Sequence, residues 1–243
     1  MTTSSEPEKI VGIIGGLGPD ATVDIMQRII RLTPANDDID HIRCIVDNNP
    51  KVPSRIKALI DETGECPGPH MAEMGKKLEQ WGANFLIIPC NTAHYYYQHV
   101  VDAVTIPVIN LIDLVVSEFV RSYPDRRKVG IAGSTAIIKT RLYSDRFQKH
   151  GIEDIYPDDT YQDLLLQGIK MIKAGVTGPE VDTIISDAFN NISRKGADVI
   201  IIACTELSVV CQGMPFNMID AAEVLARETV TIVKQGKHIE RKH

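Results

Sequence analysis

Apolar residues along this chain fall into two patterns. Short unbroken runs alternate with longer stretches in which apolar positions recur every third or fourth residue. The runs read as buried strands and the periodic stretches as amphipathic helices. Residues 9–14 predict a first strand, followed by the tight loop Gly15-Gly16-Leu17-Gly18-Pro19. Pro19 suits the first turn of a helix and Asp20 the positive end of its dipole. That helix presents Val23, Met26, Ile29 and Ile30 as its apolar face and is expected to stop near Thr33-Pro34. A second strand over 41–47 runs into the proline-rich loop 48–55. A helical patch over 56–62 and a Gly/Pro break over 64–69 lead to a long helix ending near Trp81-Gly82. The run Phe85-Leu86-Ile87-Ile88 predicts a third strand. A helix over 93–103, a short strand over 106–109 and a helix over 111–123 complete this part.

The pattern then starts again. A strand over 128–132, a helix over 138–149, a weak strand over 152–156 and helices over 160–173 and 179–195 precede a strand leading to Cys204. A last strand near 216–219 and a closing helix over 220–233 follow. Residue by residue, Gly196-Ala197-Asp198-Val199-Ile200-Ile201-Ile202-Ala203-Cys204 echoes Gly82-Ala83-Asn84-Phe85-Leu86-Ile87-Ile88-Pro89-Cys90. Val129-Gly130-Ile131-Ala132-Gly133-Ser134 echoes Val11-Gly12-Ile13-Ile14-Gly15-Gly16, and the segment from Pro215 to Asp220 resembles that from Pro107 to Asp113. Strands alternating with helices predict an α/β fold of parallel sheets covered on both faces, in two similar halves related by a pseudo-twofold. We place the division at 1–112 plus 218–243 for the N-terminal half and 113–217 for the C-terminal half. The strand ends then meet across a cleft, where a ligand is expected.

Composition narrows the partners. The 243 residues carry a formal net charge of −6 and 44% hydrophobic residues, and no basic stripe is visible. Nucleic acid and anionic membrane surfaces are therefore poor partners, and a small molecule is the expected one. Residues 1–8 read as a disordered polar lead-in without an apolar signal region, and no apolar run approaches a bilayer span. The irregular spacing of the five cysteines fits reduced thiols in the cytoplasm.

The repeat gives those thiols a chemistry. Cys90 and Cys204 each follow a strand, and a pseudo-twofold would bring them face to face. One thiolate can remove a proton from a carbon acid while the opposite thiol delivers one to the other face, inverting the centre. The weakly acidic α-carbon needs its carboxylate met by N–H groups and hydroxyls where charge develops. Asn91, Thr92 and Ala93, Thr205 and Glu206, and Ser134 offer such groups at turn or helix starts. Arg55 can pair a second carboxylate.

At Gly15-Gly16-Leu17-Gly18-Pro19, Asn48-Asn49-Pro50 through Pro53-Ser54-Arg55, Pro89-Cys90-Asn91-Thr92-Ala93-His94 and Ala203-Cys204-Thr205-Glu206, the chain resembles the aspartate/glutamate racemase superfamily. Its aspartate racemase branch is the nearest match. The resemblance implies two flavodoxin-like domains, a homodimer, and racemisation with no cofactor and no metal. It further implies Cys90 and Cys204 as the acid/base pair, with Ser54, Arg55, Asn91, Thr92, Ala93, Ser134 and Thr205 as substrate contacts. Gly16, Leu17, His94 and Glu206 form the supporting set. Some members hold substrate with a lysine ahead of the helix that begins here near Tyr161. This chain has Asp158-Asp159-Thr160-Tyr161-Gln162-Asp163 there, which leaves Arg55 alone for the distal carboxylate or points to another substrate.

Other readings are weaker. Cys44, Cys66 and Cys211 are expected to be inert. His94 lies four residues after Cys90, a spacing that could bind zinc, but no full ligand set accompanies it. It either tunes the thiol or caps local polar groups. The loop at Gly16-Leu17-Gly18 is a poor dinucleotide fingerprint. Tyr95-Tyr96-Tyr97 reads as a mixture of core and subunit contact, and His238 and His243 as tail residues without a specific role. Glutamate, a broader set of amino acids or a hydantoin are the alternative substrates. A metabolite-binding regulator and a Cys90–Cys204 redox switch are alternatives of a different class.

Overall fold

The computed structural model describes residues 8–239. Residues 1–7 of the expected lead-in, and His243, lie outside the described residues. In chain order the first elements are β1 (Val11–Gly15), α1 (Pro19–Leu32), β2 (Cys44–Asn48), α2 (Gly68–Gln80), β3 (Phe85–Ile87), α3 (Tyr97–Val101) and α4 (Leu111–Ser122). There follow β4 (Lys128–Ala132), α5 (Thr135–Lys139), α6 (Ser144–Gln148), β5 (Glu153–Ile155), α7 (Asp159–Lys173) and α8 (Pro179–Arg194). The chain closes with β6 (Ile200–Ile202), α9 (Thr205–Val210), β7 (Met218–Asp220) and α10 (Ala221–Lys234).

All strand pairs are parallel. One sheet has the order β2-β1-β3 and the other β5-β4-β6-β7. The two orders superimpose once the segment around Val108 is added, because Val108 bridges Leu86 of β3 just as Met218 of β7 stands beside Ile200 of β6. The strand expected over 106–109 is reduced to that bridge. Leu86 N–H donates to the Pro107 carbonyl and Ile109 N–H to the Leu86 carbonyl, but Pro107 has no N–H with which to extend the ladder. The fold is thus α/β, in two similar flavodoxin-like halves.

Three apolar clusters explain the layering. β1 and β3 send Val11, Ile13, Phe85 and Ile87 to one face, where they meet α4, α10 and the matching face of β4 and β6 in a single central core. The opposite face of the first sheet is covered by α2 and α3, and that of the second by α7 and α8. Strands buried on both faces explain why Phe85-Leu86-Ile87-Ile88 and Val199-Ile200-Ile201-Ile202 are continuously apolar. The last helix returns to the first half, packing on α1 and α4. The boundary at 218, however, cuts at the wrong place. β7 spans 218–220 and pairs with β6, so these residues belong to the second sheet.

Other expectations change in detail. The face of α1 is rotated: Ile25, Ile29 and Arg28 are buried, whereas Val23 and Ile30 are exposed. The charge of Arg28 decides this. Its guanidinium reaches Asp24 at 2.7 Å and both Asp220 and Glu223 at 2.9 Å, so a buried cation is neutralised where a simple apolar stripe was expected. The helix expected over 138–149 is broken into α5 and α6 at Arg141, whose φ of 52° is left-handed. That over 93–103 begins as a 3-10 stretch, Thr92–Tyr96, and the patch over 56–62 is a π-helical turn, Lys57–Asp61.

Candidate active site

Cys90 and Cys204 follow the carboxyl ends of β3 and β6, the strands that pair with β1 and β4. Both line one cavity of about 450 Å³ between the halves. Its floor is made of loop backbone tied across the pseudo-twofold. Thr92 Oγ1 and Ser134 Oγ lie 3.0 Å apart, one hydroxyl from each half. The buried Tyr143 hydroxyl donates to Asn91 Oδ1 at 2.6 Å. That bond turns the amide so that Nδ2, also buried, has no partner among the described residues. A buried donor left without a partner is costly.

The Cys90 side is braced by a neutral group. His94 is buried, and its Nδ1 is 2.8 Å from the Cys90 carbonyl oxygen while its Nε2 accepts from Leu111 N–H at 3.0 Å. Accepting at Nε2 requires the proton on Nδ1, which donates to Cys90. Burial pushes the imidazole pKa down to about 4. Both nitrogens are therefore committed to backbone, and of the two roles expected for His94 the capping one is observed. Among the described residues no cluster of His, Cys, Asp or Glu could hold a metal ion.

The Cys204 side is charged. Cys204 donates to Glu206 Oε2 at 2.9 Å, and Lys173 Nζ is 3.3 Å from Glu206 Oε1. Burial first, and then the Glu206 carboxylate, push the Cys204 thiol well above its ordinary range, against the opposing pull of Lys173. Lys173 responds in kind. Burial would lower its pKa, but Glu206, Cys204 and Cys90 outweigh that and raise it.

Lys173 and Lys170 correct the expectation that Arg55 stands alone. Leu166, Ile169, Lys170 and Lys173 follow helical i, i+3, i+4, i+7 spacing and form the face of α7 that lines the cavity. The cations come from the last turn of that helix, not from the residues preceding it. Gln162 is buried and donates to the Gly133 carbonyl at 3.0 Å, a bond that braces the loop before Ser134. In sequence, Lys170 and Lys173 read as an ordinary basic helix end. The clue was their register with Leu166 and Ile169.

The remaining expected residues separate into two groups. Leu17, Ser54, Arg55, Asn91, Thr92, Ser134, Thr205 and Glu206 line the cavity with the two cysteines. Arg55 leans on the Leu17 carbonyl, and Ser54 Oγ accepts from Lys57 N–H at 3.3 Å. Ala93 is fully buried in the first half's core and His94 stands behind Cys90, so neither belongs to the cavity wall. Gly16 acts through backbone. With φ of 80°, any Cβ there would fall 2.2–2.4 Å from Asn49 main-chain atoms. A Cβ at Gly18 would come 2.9 Å from Glu206 Oε1, so this glycine lets the second half's carboxylate reach the first half. The glycine-rich loop thus serves close approach within the protein. Cys44 and Cys211, whose thiols burial pushes up to about 11 and about 12, and the exposed Cys66 lie away from this wall.

Comparison with known proteins agrees with this geometry. The chain is 28% identical over 228 residues to the broad specificity amino-acid racemase RacX of Bacillus subtilis, covering 91% of this chain and 97% of that protein. The structure of Picrophilus torridus aspartate racemase matches with a TM-score of 0.83 and 30% identity over 96% of each chain. Glutamate racemase from Francisella tularensis, solved with D-glutamate, shares the fold at 19% identity, with a TM-score of 0.66 over 97% of this chain and 85% of that one. Residues 14–229 match the Asp/Glu/hydantoin racemase family model, most of the chain and all of the cavity, and the protein belongs to that family.

Proposed function

We propose that the protein is an aspartate racemase that needs no cofactor and works by two-base proton transfer between Cys90 and Cys204. The observation that carries this is one cavity walled by two strand-end thiols from opposite halves, with cations from both halves on the same wall. In this reading the α-carbon lies between the sulfurs. Asn91, Thr92 and Thr205 meet the α-carboxylate, where negative charge grows as the α-proton leaves. Arg55 and Lys173 take the distal carboxylate, with Ser54 and Ser134 completing the wall. The likeness to an aspartate racemase over nearly the whole chain supports the substrate.

A second reading is a broader amino-acid range, favoured by the cavity's size and by Leu17, Ile56, Ile60, Leu166 and Ile169, an apolar lining that a short dicarboxylate does not require. L-Aspartate incubated in D₂O is expected to lose optical rotation while gaining α-deuterium, without added pyridoxal phosphate or metal. A panel of L-amino acids separates the two readings. Faster racemisation of a long apolar amino acid than of aspartate would reject the first. We also propose a cytoplasmic homodimer. The exposed Val23 and Ile30, one heptad apart on α1, support a subunit contact, and sedimentation equilibrium tests it.

A further inference from the structure

One carboxylate in the cavity serves two partners at once. Glu206 accepts the Cys204 thiol proton's hydrogen bond on Oε2 and pairs with Lys173 through Oε1. The same Lys173 borders the cavity in which a substrate's distal carboxylate would sit. Resting on the reading above, we infer that Glu206 is the proton acceptor for Cys204, and that Lys173 holds it in check until a substrate carboxylate draws the lysine away.

The physical basis is competition for one cation. A carboxylate paired with an ammonium group is a weak base, and it becomes a stronger one when the cation moves to another anion. Lys173 also favours the Cys204 thiolate, but its strongest pull is on Glu206, which it pairs at 3.3 Å. Its departure therefore strengthens the carboxylate more than it weakens the thiol as an acid. Glu206 is little exposed, so water compensates poorly for the lost partner. It is also fixed in place. Oε1 rests against Gly18 of the first half, leaving no room for a side chain there. Lys173 sits at the end of a long flexible stem in the last turn of α7 and is the partner free to swing. Of the other charged groups on the wall, Arg55 leans on the Leu17 carbonyl, and Lys57, Asp61 and Lys170 border the same space. When Lys173 turns to the substrate, the Cys204 S–H bond breaks, its electron pair stays on sulfur, and the proton forms an O–H bond on Glu206 Oε2. The thiolate is then ready to take the α-proton. Recognition of the acidic side chain and activation of the base become one event, so a substrate lacking a distal charge loses turnover as well as binding.

Succinate, a dicarboxylate with no α-amino group, serves as the probe. In Cys90→Ser protein at neutral pH, saturating succinate is expected to increase ultraviolet thiolate absorbance severalfold, and Glu206→Gln in that background to abolish the increase. Glu206→Asp is expected to restore part of it. In kinetics, replacing aspartate with asparagine should lower kcat as well as raise KM, and Glu206→Gln should narrow the kcat difference. Succinate binding by calorimetry with no change in thiolate, or an unchanged response in Glu206→Gln, would overturn this inference and leave the racemase reading standing. Failure of succinate to bind would overturn both it and the acidic-substrate reading.

Discussion

Behind Cys90 stands an imidazole that burial holds uncharged, and the nearby Thr92 hydroxyl meets Ser134. Beside Cys204, in the same place in the other half, stand a carboxylate and an ammonium group, and that ammonium group also acts on Cys90. The two residues after each cysteine are Asn91-Thr92 on one side and Thr205-Glu206 on the other. A duplicated backbone thus carries unlike side chains beside its two cysteines. In the proposed mechanism, symmetry of position gives access to both faces of a carbon, while unlike neighbours let the two thiols rest in different protonation states. A thiolate facing a thiol is what two-base inversion requires before either enantiomer can react.

The largest effect is expected from removing either sulfur. Cys90→Ser and Cys204→Ser should each lower racemisation by about a hundred- to ten-thousandfold, the usual contribution of a positioned acid or base. The comparison is sharpened by following α-deuterium exchange of each enantiomer separately. Each variant should retain exchange from the face its remaining cysteine serves, and the two variants should retain opposite enantiomers. Full racemisation by both variants would break the pairing.

Next comes the brace behind Cys90. His94→Leu would leave the Leu111 N–H and the Cys90 carbonyl unpaired in the core, each costing about 1–3 kcal/mol. The wild-type imidazole also makes stability depend on pH. Unfolded, His94 binds a proton below about 6.5, but in the folded chain only below about 4. Between these values the unfolded state holds more protons, so stability falls as pH is lowered through that window, by on the order of 3 kcal/mol in all. Denaturant titrations from neutral pH to about pH 4 should show that loss in the wild type and a flatter profile in the variant. Equal slopes would mean that His94 is not the neutral strut described.

On the charged side, Lys173→Met should cost about 1.5–3 kcal/mol of transition-state binding for aspartate, the worth of a hydrogen bond to a charged group. That is roughly a tenfold to hundredfold loss in kcat/KM for aspartate, with a much smaller change for alanine. Equal losses on both substrates would remove Lys173 from side-chain recognition.

How far these residues could be read beforehand follows from how each contact is made. Cys90, Cys204 and the loops around them were visible because chemistry and repeat coincide in contiguous sequence. The parallel sheets were visible because doubly buried strands are apolar throughout. Lys173 was not, because its role depends on α7 crossing the cavity with Leu166 and Ile169 inward, a matter of tertiary packing. Arg28 was missed for a related reason. An apolar count along α1 favours Val23 and Ile30, and only the arrival of Asp220 and Glu223 from the far end of the chain makes a buried guanidinium acceptable. The boundary at 218 cuts through the strand expected near 216–219, because pairing of that strand with β6 is a contact between segments distant in sequence.

The smallest effect tests the counterpart of the His94 brace. His94 ties the Cys90 loop to the first residue of α4, and in the other half Ser208 of α9 donates to Asp220 Oδ1 at 2.7 Å, the residue that caps α10. Topologically the two bonds are equivalent, since each links a cysteine-bearing segment to the start of the helix after the next strand position. Energetically they are not. Losing the Ser208 hydroxyl leaves Asp220 still accepting from Ala222 N–H and paired with Arg28, so no buried group is stranded. Ser208→Ala should therefore cost only about 0.5–1.5 kcal/mol in denaturant unfolding. Its kcat should change little, because the Cys204 thiol donates to Glu206 and not to Ser208. A loss as large as that of His94→Leu would show that Asp220 depends on Ser208 far more than its other two partners imply.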